Sequence, residues 1–480
     1  MAPFDVRKFD YTPGEALEAA KENRLLSAEI EFNRSCNYRC PYCYAAGSDA
    51  LLAPEVAERV IREVAKLGGR KIVVLGGEPL LCRRLREYIL LAESLGMGAE
   101  IFTNASLIDE SWAQFFCEHN CRVAVKLNSL DPAVHDRLTG VTDALGKALR
   151  AIDLLQKAGL DEQRLAASSV ICSANEKEAV SLWKYLRSRH VKPYLEIMTP
   201  QGRLLKNRDL EVHPRRLKEI FDEIADFDRS LGFRWEPQPP LVGATCLRHQ
   251  YSCVISASGD VYPCVGLTVK LGSVLDSSLQ EILFNSKVLR HLKGFRKTLK
   301  GPCRSCDKAD HCYGCRGAAY QLTGDYLASD PLCWRNCDEL LFQAPHVPCD
   351  ARPFLPHTPP MIMVTRLLQA GEWSTIEAEV TPDNRFLRNN VFDPEALPEI
   401  AAQACAAVTG FELSEKPIRG VLTGLRGFES LADVHGGDTL HVTVRETTKI
   451  DNYYIVEFSI RRPADDVLCA RGEMSICRFS

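Results

Sequence analysis

The 480-residue chain lacks the features of a membrane protein, a secreted protein or a repeat protein. No uninterrupted apolar stretch approaches the roughly 20 residues that a membrane-spanning helix needs. The N-terminal segment mixes charges throughout and has no apolar core, so no secretory signal is predicted. No internal repeat or low-complexity tract is present. We therefore expect a cytoplasmic protein with no membrane partner.

The sequence also lacks a strong charge of either sign. Lysine and arginine number 59 against 63 aspartate and glutamate residues, a net charge of -4, and no basic tract stands out. This balance disfavours nucleic acid as a partner, because surfaces that bind nucleic acid are strongly basic. Hydrophobic residues make up 46% of the chain, a share typical of soluble globular proteins, and the length predicts two or three domains.

Cysteine, in contrast, is abundant, with 20 residues. Disulfides are rare in a reducing compartment, so clustered cysteines there are typical of metal sites. Eleven of the cysteines fall into groups with metal-ligand spacing. The other nine are mostly isolated and are predicted to be small core residues: Cys82, Cys117, Cys121, Cys172, Cys337, Cys349, Cys405, Cys469 and Cys477.

Residues 26–235 alternate short β-rich runs with amphipathic helical stretches. Such alternation favours βα units and a parallel sheet. Six units predict a full or partial TIM-type (β/α)6 barrel of the α/β class, with its chemistry at the C-terminal ends of the strands. The predicted strands are 27–32, 71–77, 98–104, 122–128, 165–172 and 194–198.

Three further segments complete the predicted organisation. Residues 1–25 form an N-terminal segment, and residues 236–342 form a small domain, rich in Cys and Gly, that depends on metal for its fold. A linker rich in proline and polar residues follows at 343–352. Residues 353–480 are β-rich with one Ala-rich helix near 394–409, an α+β composition.

The first cysteine group directly follows the first predicted strand. Cys36, Cys40 and Cys43 lie in one loop with the spacing Cys-x3-Cys-x2-Cys. Soft thiolates favour iron–sulfur clusters or zinc. A [4Fe–4S] cluster normally takes four cysteines, so three leave one iron open to a small molecule. A structural zinc site is the alternative interpretation of this loop.

With Tyr42 just before its last cysteine, this loop resembles that of the radical S-adenosylmethionine (SAM) superfamily. The resemblance implies that the open iron binds SAM. It also implies that one electron, supplied by an external flavodoxin or ferredoxin, cleaves SAM to a 5′-deoxyadenosyl radical, which abstracts a hydrogen atom from the substrate. Cys36, Cys40 and Cys43 are thus the predicted catalytic centre.

Motifs at the ends of the next strands agree with this resemblance. Gly76-Gly77-Glu78-Pro79 ends the second strand, where the family's GGEP segment meets the methionine amino group, and glycines permit close approach of a ligand to the backbone. Thr103-Asn104 ends the third strand and Asn128-Ser129 the fourth, at positions that the family uses around SAM. The alternative is that these polar residues only terminate strands.

The middle domain carries eight further grouped cysteines: Cys246, Cys253, Cys264, Cys303, Cys306, Cys312, Cys315 and Cys333. Considered from spacing alone, its two CxxC pairs are compatible with a zinc ribbon, and eight thiolates are equally compatible with two four-cysteine iron–sulfur clusters. Both interpretations make this domain a metal-binding module.

The arrangement resembles the SPASM extension of radical SAM maturases, which implies two auxiliary [4Fe–4S] clusters and three clusters in all. By the family's pattern the first binds Cys246, Cys253, Cys264 and Cys315. The second binds Cys303, Cys306, Cys312 and Cys333, with Cys337 as a substitute for Cys333. Full cysteine ligation would make both clusters electron carriers and predicts an oxidative reaction. Val265 stands where sulfatase-maturating relatives carry Asp, which disfavours that activity.

The C-terminal segment resembles the β-hydroxyacyl-carrier-protein dehydratases, which have the hotdog fold. The resemblance rests on Leu355-Pro356-His357, on Glu399-x3-Gln403 in the helix and on the turn 437–440. In those enzymes the helix Glu works as acid or base with a His from the segment that leads into the helix.

That His is missing here, because the segment offers only Asn389 and Asn390, and neither His357 nor His435 occupies the expected place. Glu399 is then either catalytic or a structural carboxylate. We expect a degenerate dehydratase domain kept for binding or for dimer formation, and a homodimer through residues 353–480.

Three functions remain open. The first is a SPASM-type maturase that oxidatively modifies a peptide or protein. In the second, the hotdog domain docks a carrier protein while the radical core modifies the attached acyl or peptidyl group. The third is an inactive radical SAM scaffold whose hotdog domain binds acyl chains, which the intact cysteine loop and GGEP motif disfavour.

Overall fold

The computed structural model describes residues 4–45, 48–310, 312–335, 347–371, 373–412 and 420–478. The chain divides into two compact units, Met1–Asp338 and Glu339–Ser480. The first unit holds the barrel and the Cys-rich segment, and the second holds an antiparallel sheet with one long helix. The finer domain boundaries predicted from composition stay predictions.

The first unit is built on one nine-stranded sheet with the order β6-β5-β4-β3-β2-β1-β7-β8-β9. Strands β1 to β6 are parallel neighbours in chain order, as six βα units require. The strands are β1 (Ser27–Glu31), β2 (Lys71–Leu75), β3 (Gly98–Thr103), β4 (Cys121–Lys126), β5 (Leu165–Ile171), β6 (Lys192–Ile197), β7 (Val254–Ile255), β8 (Asp260–Tyr262) and β9 (Gly272–Ser273).

Helices alternate with these strands and cover the sheet. The amphipathic pattern of α2 explains its place, because Ala57, Val60, Ile61 and Val64 recur at helical spacing and are all buried. The helices are α1 (Pro13–Lys21), α2 (Pro54–Lys66), α3 (Leu85–Ser94), α4 (Glu110–Glu118), α5 (Pro132–Thr139), α6 (Ala144–Ala158), α7 (Ala179–Ser188), α8 (Pro214–Ser230), α9 (Arg248–Tyr251), α10 (Leu279–Asn285), α11 (Lys287–Lys293), α12 (Phe295–Thr298), α13 (Pro302–Ser305) and α14 (Arg316–Thr323).

The Cys-rich segment extends the barrel sheet at the free edge of β1. Strand β7 pairs with β1 in parallel, Glu29 opposite Val254, and β8 and β9 follow in antiparallel order. Cys253 directly precedes β7, and its carbonyl accepts the Glu29 N–H at 2.8 Å. Two neighbouring cysteines of the segment, Cys246 and Cys264, flank these strands in the chain, so the sheet anchors this group to the barrel.

The second unit is a seven-stranded antiparallel sheet with the order β10-β11-β12-β16-β17-β18-β15. In the described part of this unit one long helix, α15 (Leu397–Glu412), packs its small residues against β11, β12 and β16. The strands are β10 (Cys349–Asp350), β11 (Val364–Gln369), β12 (Ser374–Glu379), β13 (Leu387–Arg388), β14 (Val391–Phe392), β15 (Gly420–Ser430), β16 (Thr439–Ile450), β17 (Tyr453–Arg462) and β18 (Val467–Arg478).

The predicted fold class is confirmed: a partial TIM-type barrel, a small Cys-rich segment and an α+β unit of hotdog type follow one another. No helix of the described residues is long and apolar enough to cross a membrane. Of the isolated cysteines, Cys82, Cys121, Cys172, Cys405 and Cys469 are buried as predicted, whereas Cys117, Cys349 and Cys477 are half-buried. Cys337 lies outside the described residues.

Candidate active site

The loop that follows β1 brings three thiols together at the C-terminal end of the strand. Its turn is closed by the Cys43 N–H, which donates to the Cys40 carbonyl at 3.2 Å. Burial and the nearby Cys43 raise the pKa of Cys40 to about 11, and partial burial, Glu78 and Cys43 raise that of Cys36. The thiols are thus electrostatic neighbours, and a bound metal centre would offset the cost of their ionisation.

These thiols do not converge on a single point. Across the described ranges, no group of three or more Cys, His, Asp or Glu side chains has the arrangement to hold one metal ion. Soft thiol donors on one short loop at a strand end nevertheless fit a cluster held by three ligands. Cys36, Cys40 and Cys43 are the residues that would hold it.

The GGEP segment lies directly against the backbone of the cysteine loop. A Cβ added at Gly76, whose φ is 116°, would lie 2.2 Å from the Asn33 carbonyl oxygen, and one at Gly77 would lie 2.0 Å from that of Ser35. The Gly77 and Glu78 N–H groups donate to these same two oxygens at 3.0 and 2.8 Å. Glycine is therefore required at both positions so that the cysteine loop can pack against this segment. From the sequence we had expected these glycines to allow the approach of a ligand.

Glu78 joins the ends of β2 and β3. Its side chain is 1% exposed and accepts hydrogen bonds from Thr103 Oγ1 at 2.6 Å, from the Asn104 N–H at 2.7 Å and from the Leu80 N–H at 3.1 Å. Burial raises the pKa of Glu78 to about 7 although these donors oppose the shift. The Asn104 side chain in turn donates to Asn37 Oδ1 at 2.7 Å, one residue after Cys36.

Asn128 and Ser129 at the end of β4 are buried and held by protein groups. Asn128 Nδ2 donates to the Tyr42 hydroxyl at 2.6 Å, so the aromatic residue of the cysteine loop is tied to this strand. Ser129 Oγ donates to Glu178 Oε2 at 2.5 Å and accepts the Asp131 N–H at 2.9 Å. Asn128 therefore contacts the cysteine loop, whereas Ser129 is engaged with the start of α7.

Sequence reasoning missed a set of charged side chains inside the barrel. Arg248 Nε lies 3.1 Å from Glu29 Oε1, and its Nη2 donates to the Tyr194 hydroxyl at 3.0 Å. The other oxygen of Glu29, Oε2, is buried with no hydrogen-bond partner among the described residues. The signal was present in the alternation of β1, where Ser27, Glu29 and Glu31 share one strand face.

Two more charged groups lie at the top of this interior. Lys126 ends β4, with its ammonium 5.2 Å from the centre of the Tyr42 ring. Burial lowers the pKa of Lys126, and Glu196 and the thiols of Cys40 and Cys43 oppose that shift. Burial also raises the pKa of Glu196, with Lys126 and Arg248 opposing. A buried amine and a buried carboxyl group thus line the barrel next to the cysteine loop.

The auxiliary cysteines fall into two electrostatic groups. Burial raises the pKa of Cys264 to about 12, with a contribution from the Cys246 thiol. Burial also raises the pKa of Cys315, with contributions from the Cys264 and Cys246 thiols. In the second group, burial raises the pKa of Cys312 to about 11 and that of Cys333 to about 12, with contributions from Cys303 to both. Cys306 also acts on Cys312. The pKa of Cys253 is raised by burial and by Glu29, with no contribution from another cysteine, so these mutual effects assign Cys253 to neither group.

The second unit departs from the sequence expectation at Glu399. His357, which had no assigned place, lies with Nε2 at 3.4 Å from Glu399 Oε1. Asn389 and Asn390, with φ of 54° and 65°, form the two-residue turn between β13 and β14, a backbone that Asn tolerates well. His435 lies beside Asp438, with Nδ1 3.9 Å from Oδ2.

Comparison with known families matches three parts of the chain. Residues 30–182 match the radical SAM superfamily, residues 246–307 match the SPASM iron–sulfur cluster-binding domain, and residues 349–479 match the ApeP-like family, described as ApeP dehydratase. The first two domains imply SAM and [4Fe–4S] clusters as cofactors.

Curated relatives resemble the first two thirds of the chain. An AdoMet-dependent heme synthase from Methanosarcina barkeri is 26% identical over 352 residues, which cover 65% of this chain and 96% of the relative. A PqqA peptide cyclase from Granulibacter bethesdensis is 27% identical over 327 residues, covering 63% and 85%.

Solved structures with the same fold include two SAM-bound proteins. Streptococcus suis SuiB bound to S-adenosylmethionine has a TM-score of 0.53 at 16% identity and covers 66% of this chain and 80% of its own. Native anSMEcpe with bound AdoMet has a TM-score of 0.51 at 20% identity, covering 63% and 93%. These structures show the fold of the first part of the chain. The three family matches and the curated relatives identify the chain as a radical SAM enzyme in which a radical SAM domain, a SPASM domain and an ApeP-like dehydratase domain follow one another.

Proposed function

We propose that this enzyme uses a SAM-derived radical to modify a peptide or protein substrate oxidatively. The observation that carries the proposal is the placement of Cys36, Cys40 and Cys43 on one loop at the end of β1, with that loop packed against the backbone of Gly76 and Gly77. A [4Fe–4S] cluster bound there would supply the electron that cleaves SAM to a 5′-deoxyadenosyl radical. The chain's own residues seat that cluster, bind SAM and shield the site.

The residues proposed to bind SAM lie at the ends of the neighbouring strands β2, β3 and β4. Glu78 accepts hydrogen bonds of 2.6 and 2.7 Å from Thr103 Oγ1 and the Asn104 N–H, so the ends of β2 and β3 form one hydrogen-bonded rim. We assign Gly76, Gly77, Glu78, Pro79, Thr103 and Asn104 to the amino-acid part of SAM. Asn128 and Ser129 shape the adjoining wall, Asn128 through its contact with Tyr42.

The eight downstream cysteines support two auxiliary clusters, three clusters in all. We assign Cys246, Cys253, Cys264 and Cys315 to the first and Cys303, Cys306, Cys312 and Cys333 to the second. The mutual effects of the thiols on their pKa values support this division for the cysteines other than Cys253. Full cysteine ligation suits electron carriers, which would remove the second electron of an oxidation. The first electron would come from a flavodoxin or ferredoxin.

The ionisable side chains of the barrel interior favour a polar substrate. Two basic and two acidic side chains lie between the cysteine loop and Cys246, namely Lys126, Arg248, Glu29 and Glu196. The last three also act on the pKa of the Cys246 thiol. Peptide backbones and side chains offer groups that pair with both signs. Two of the similar proteins act on or bind peptides: one is a PqqA peptide cyclase, and SuiB has been seen bound to the precursor peptide SuiA. We therefore favour a peptide substrate over that of the AdoMet-dependent heme synthases.

The test uses the reconstituted full chain with SAM and dithionite under anaerobic conditions. We expect 5′-deoxyadenosine in the absence of substrate, which an inactive scaffold would not form. Peptides encoded by neighbouring reading frames are then added and analysed by mass spectrometry for the loss of two hydrogen atoms. Formation of 5′-deoxyadenosine without a change in any such peptide would contradict the peptide assignment.

The ApeP-like domain favours a second candidate, in which the radical core modifies a group carried by an acyl or peptidyl carrier protein. We expect a holo-carrier to bind the full chain with a measurable shift in sedimentation, and the apo-carrier to bind less tightly. Binding of neither form would contradict this candidate without touching the radical reaction.

A homodimer through residues 353–480 is supported by strand β15 at the edge of the second sheet. This 11-residue strand exposes Val421, Leu422 and Leu425 by 45%, 42% and 39%. Unpaired edge strands with exposed apolar residues are suited to pairing with a second copy. Sedimentation equilibrium of the full chain should therefore report a dimer, and Leu422→Lys should shift it toward monomer.

A further inference from the structure

Two buried side chains of the Cys-rich segment have nitrogen atoms without hydrogen-bond partners. His249 is 3% exposed and Arg316 is 1% exposed. Both ring nitrogens of His249, and Nε and Nη2 of Arg316, have no partner among the described residues. Either tautomer of the imidazole carries one N–H, and these guanidinium nitrogens always carry theirs. Buried donors without an acceptor cost free energy, which a bound group that accepts their hydrogen bonds would recover.

The remaining contacts of the two side chains hold them in place. The His249 ring packs on Tyr313, with ring centroids 5.4 Å apart, and the His249 backbone N–H donates to the Tyr313 hydroxyl at 3.3 Å. Arg316 Nη1 donates to the carbonyls of Tyr326 at 3.1 Å and Ala328 at 2.5 Å. These contacts leave the other nitrogens available to a further partner.

Each of the two side chains follows a cysteine that we assign to the first auxiliary cluster. Arg316 comes directly after Cys315, and His249 comes three residues after Cys246. The two side chains are also electrostatic neighbours, since burial lowers the pKa of His249 to about 3 and the charge of Arg316 adds to this shift. The unpartnered nitrogens therefore lie in one region, next to two of the proposed ligands.

A third cysteine of the same group lies on the loop after β8. A Cβ added at Gly317 would lie 2.8 Å from the carbonyl carbon of Gly266, so the start of α14 packs directly on the loop that holds Cys264. Burial raises the pKa of Tyr313, and the thiols of Cys246 and Cys264 add to that shift. Three proposed ligands and the two side chains with unpartnered nitrogens thus share one place in the fold.

We propose that His249 and Arg316 donate hydrogen bonds to the first auxiliary [4Fe–4S] cluster and raise its reduction potential. The inference rests on the first auxiliary cluster of the proposed function. Hydrogen bonds to the sulfur atoms and the net charge of such a cluster are among the factors that set its potential. An imidazole N–H and a guanidinium that is always charged are suitable donors to an anionic group.

The direction of the effect follows from the charge. Reduction adds one negative charge to the cluster, and a nearby cation and N–H donors stabilise that charge. His249 and Arg316 would therefore make this cluster a better acceptor for the second electron of an oxidation.

The test is a redox titration of the reconstituted full chain, followed by electron paramagnetic resonance. His249→Phe keeps a ring on Tyr313 but has no nitrogen, so the potential of one auxiliary cluster should fall. We expect about a tenfold decrease in the ratio of reduced to oxidised cluster at a given potential, about 59 mV for one electron. His249→Gln keeps an N–H donor and should recover part of the shift. Arg316→Met, which removes the charge, should shift the potential in the same direction.

His291→Phe is the matched control. This His also lies against a tyrosine, Tyr326, but it is exposed and its Nδ1 lies 2.9 Å from the Tyr326 hydroxyl. It should leave every potential unchanged. The signal of the first auxiliary cluster is the one missing from the double variant Cys264→Ala, Cys315→Ala. Iron content and unfolding midpoint identify the variants that are folded and loaded.

A measurement on the unchanged chain does not depend on the folding of any variant. With isotope-labelled histidine, pulsed electron paramagnetic resonance of the reduced first auxiliary cluster should detect a coupling to a histidine nitrogen, which His249→Phe should lose. Absence of this coupling, or an unchanged potential in either loaded variant, His249→Phe or Arg316→Met, would overturn the proposal, as expected if a buried water satisfies these nitrogens instead. An iron content of only about four atoms per chain, one cluster, would overturn the auxiliary clusters and this inference together.

Discussion

The two units of this enzyme collect their reactive groups in opposite ways. In the first, three thiols come from one loop of eight residues, Cys36 to Cys43, and the strand ends only support that loop. In the second, an imidazole and a carboxylate come from segments far apart in the chain and meet through packing. A local motif can be recognised in the sequence from the spacing of its residues, whereas a pair that packing brings together cannot.

The largest effect should come from removing the local motif. The triple variant Cys36→Ala, Cys40→Ala, Cys43→Ala loses every ligand of the SAM-cleaving cluster, so 5′-deoxyadenosine formation should fall at least 1,000-fold, to about background, as expected when a catalytic metal centre is lost. The control Cys82→Ala removes a buried cysteine outside all three groups. Iron spectra of the triple variant should keep auxiliary cluster signals, and their complete absence would contradict the second and third clusters.

The auxiliary cysteines test whether grouping in space decides ligation. Cys264→Ala with Cys315→Ala removes two ligands of one group, so iron content should fall by about four atoms per chain. Cys315→Ala with Cys333→Ala removes one ligand from each group and should cost up to about eight atoms. Iron analysis of the purified variants distinguishes the two results. Equal losses from both double variants would contradict the division.

Glu78 tests how strongly the strand ends support the cysteine loop. In Glu78→Gln, an amide N–H₂ faces one of the three donors, Thr103, Asn104 N–H or Leu80 N–H, so a buried bond is lost. We expect a cost of about 1–3 kcal/mol in the free energy of unfolding and weaker SAM binding. Glu93→Gln, on a partly exposed carboxylate, serves as the control. Equal unfolding midpoints for the two variants would show that the rim is not held by Glu78.

The smallest effect is expected in the second unit, at Gln403. Gln403→Met keeps the volume but removes the bonds to Glu399, Met361 and Met363. Because these bonds are buried, we expect a cost of about 1 kcal/mol in the free energy of unfolding, measured by urea denaturation of the full chain. Gln403→Glu keeps the oxygen that accepts the Met363 N–H but places a second carboxylate beside Glu399, so it should not restore the lost stability. An unchanged free energy of unfolding in Gln403→Met would show that these bonds do not hold the segment after His357 against α15.

Much of the first unit could be predicted from sequence. All six predicted strands of residues 26–235 exist within a few residues, because parallel strands buried on both faces are short apolar runs separated by amphipathic helices. The ends of those strands led to Glu78, Thr103 and Asn104. The interior charges Glu29, Lys126, Glu196 and Arg248 were missed, because a single charged residue in a strand does not reveal which strands share an interior.

The second unit was predicted at the level of its fold and its helix, including Glu399. Its partner was not predicted, because His357 was judged by its distance in sequence from the place where related enzymes carry their His. The fold brings the segment 355–363 against α15, and Gln403 ties the two together. Pairing across such a distance follows from the path of the backbone, which no local pattern records.

By itself, the sequence determined the domain order, the barrel, the cysteine groups and the SAM chemistry, because each depends on spacing within one strand, helix or loop. Only the tertiary structure decided what the GGEP glycines touch, which charged side chains share the barrel interior, and that His357 lies against Glu399. The physical reason is that the ligands in a loop are only a few residues apart, so their spacing in the sequence limits where they can lie. The partners of a buried ion pair or of a His–Glu contact are far apart in the sequence, and only the complete fold brings them within a few ångströms.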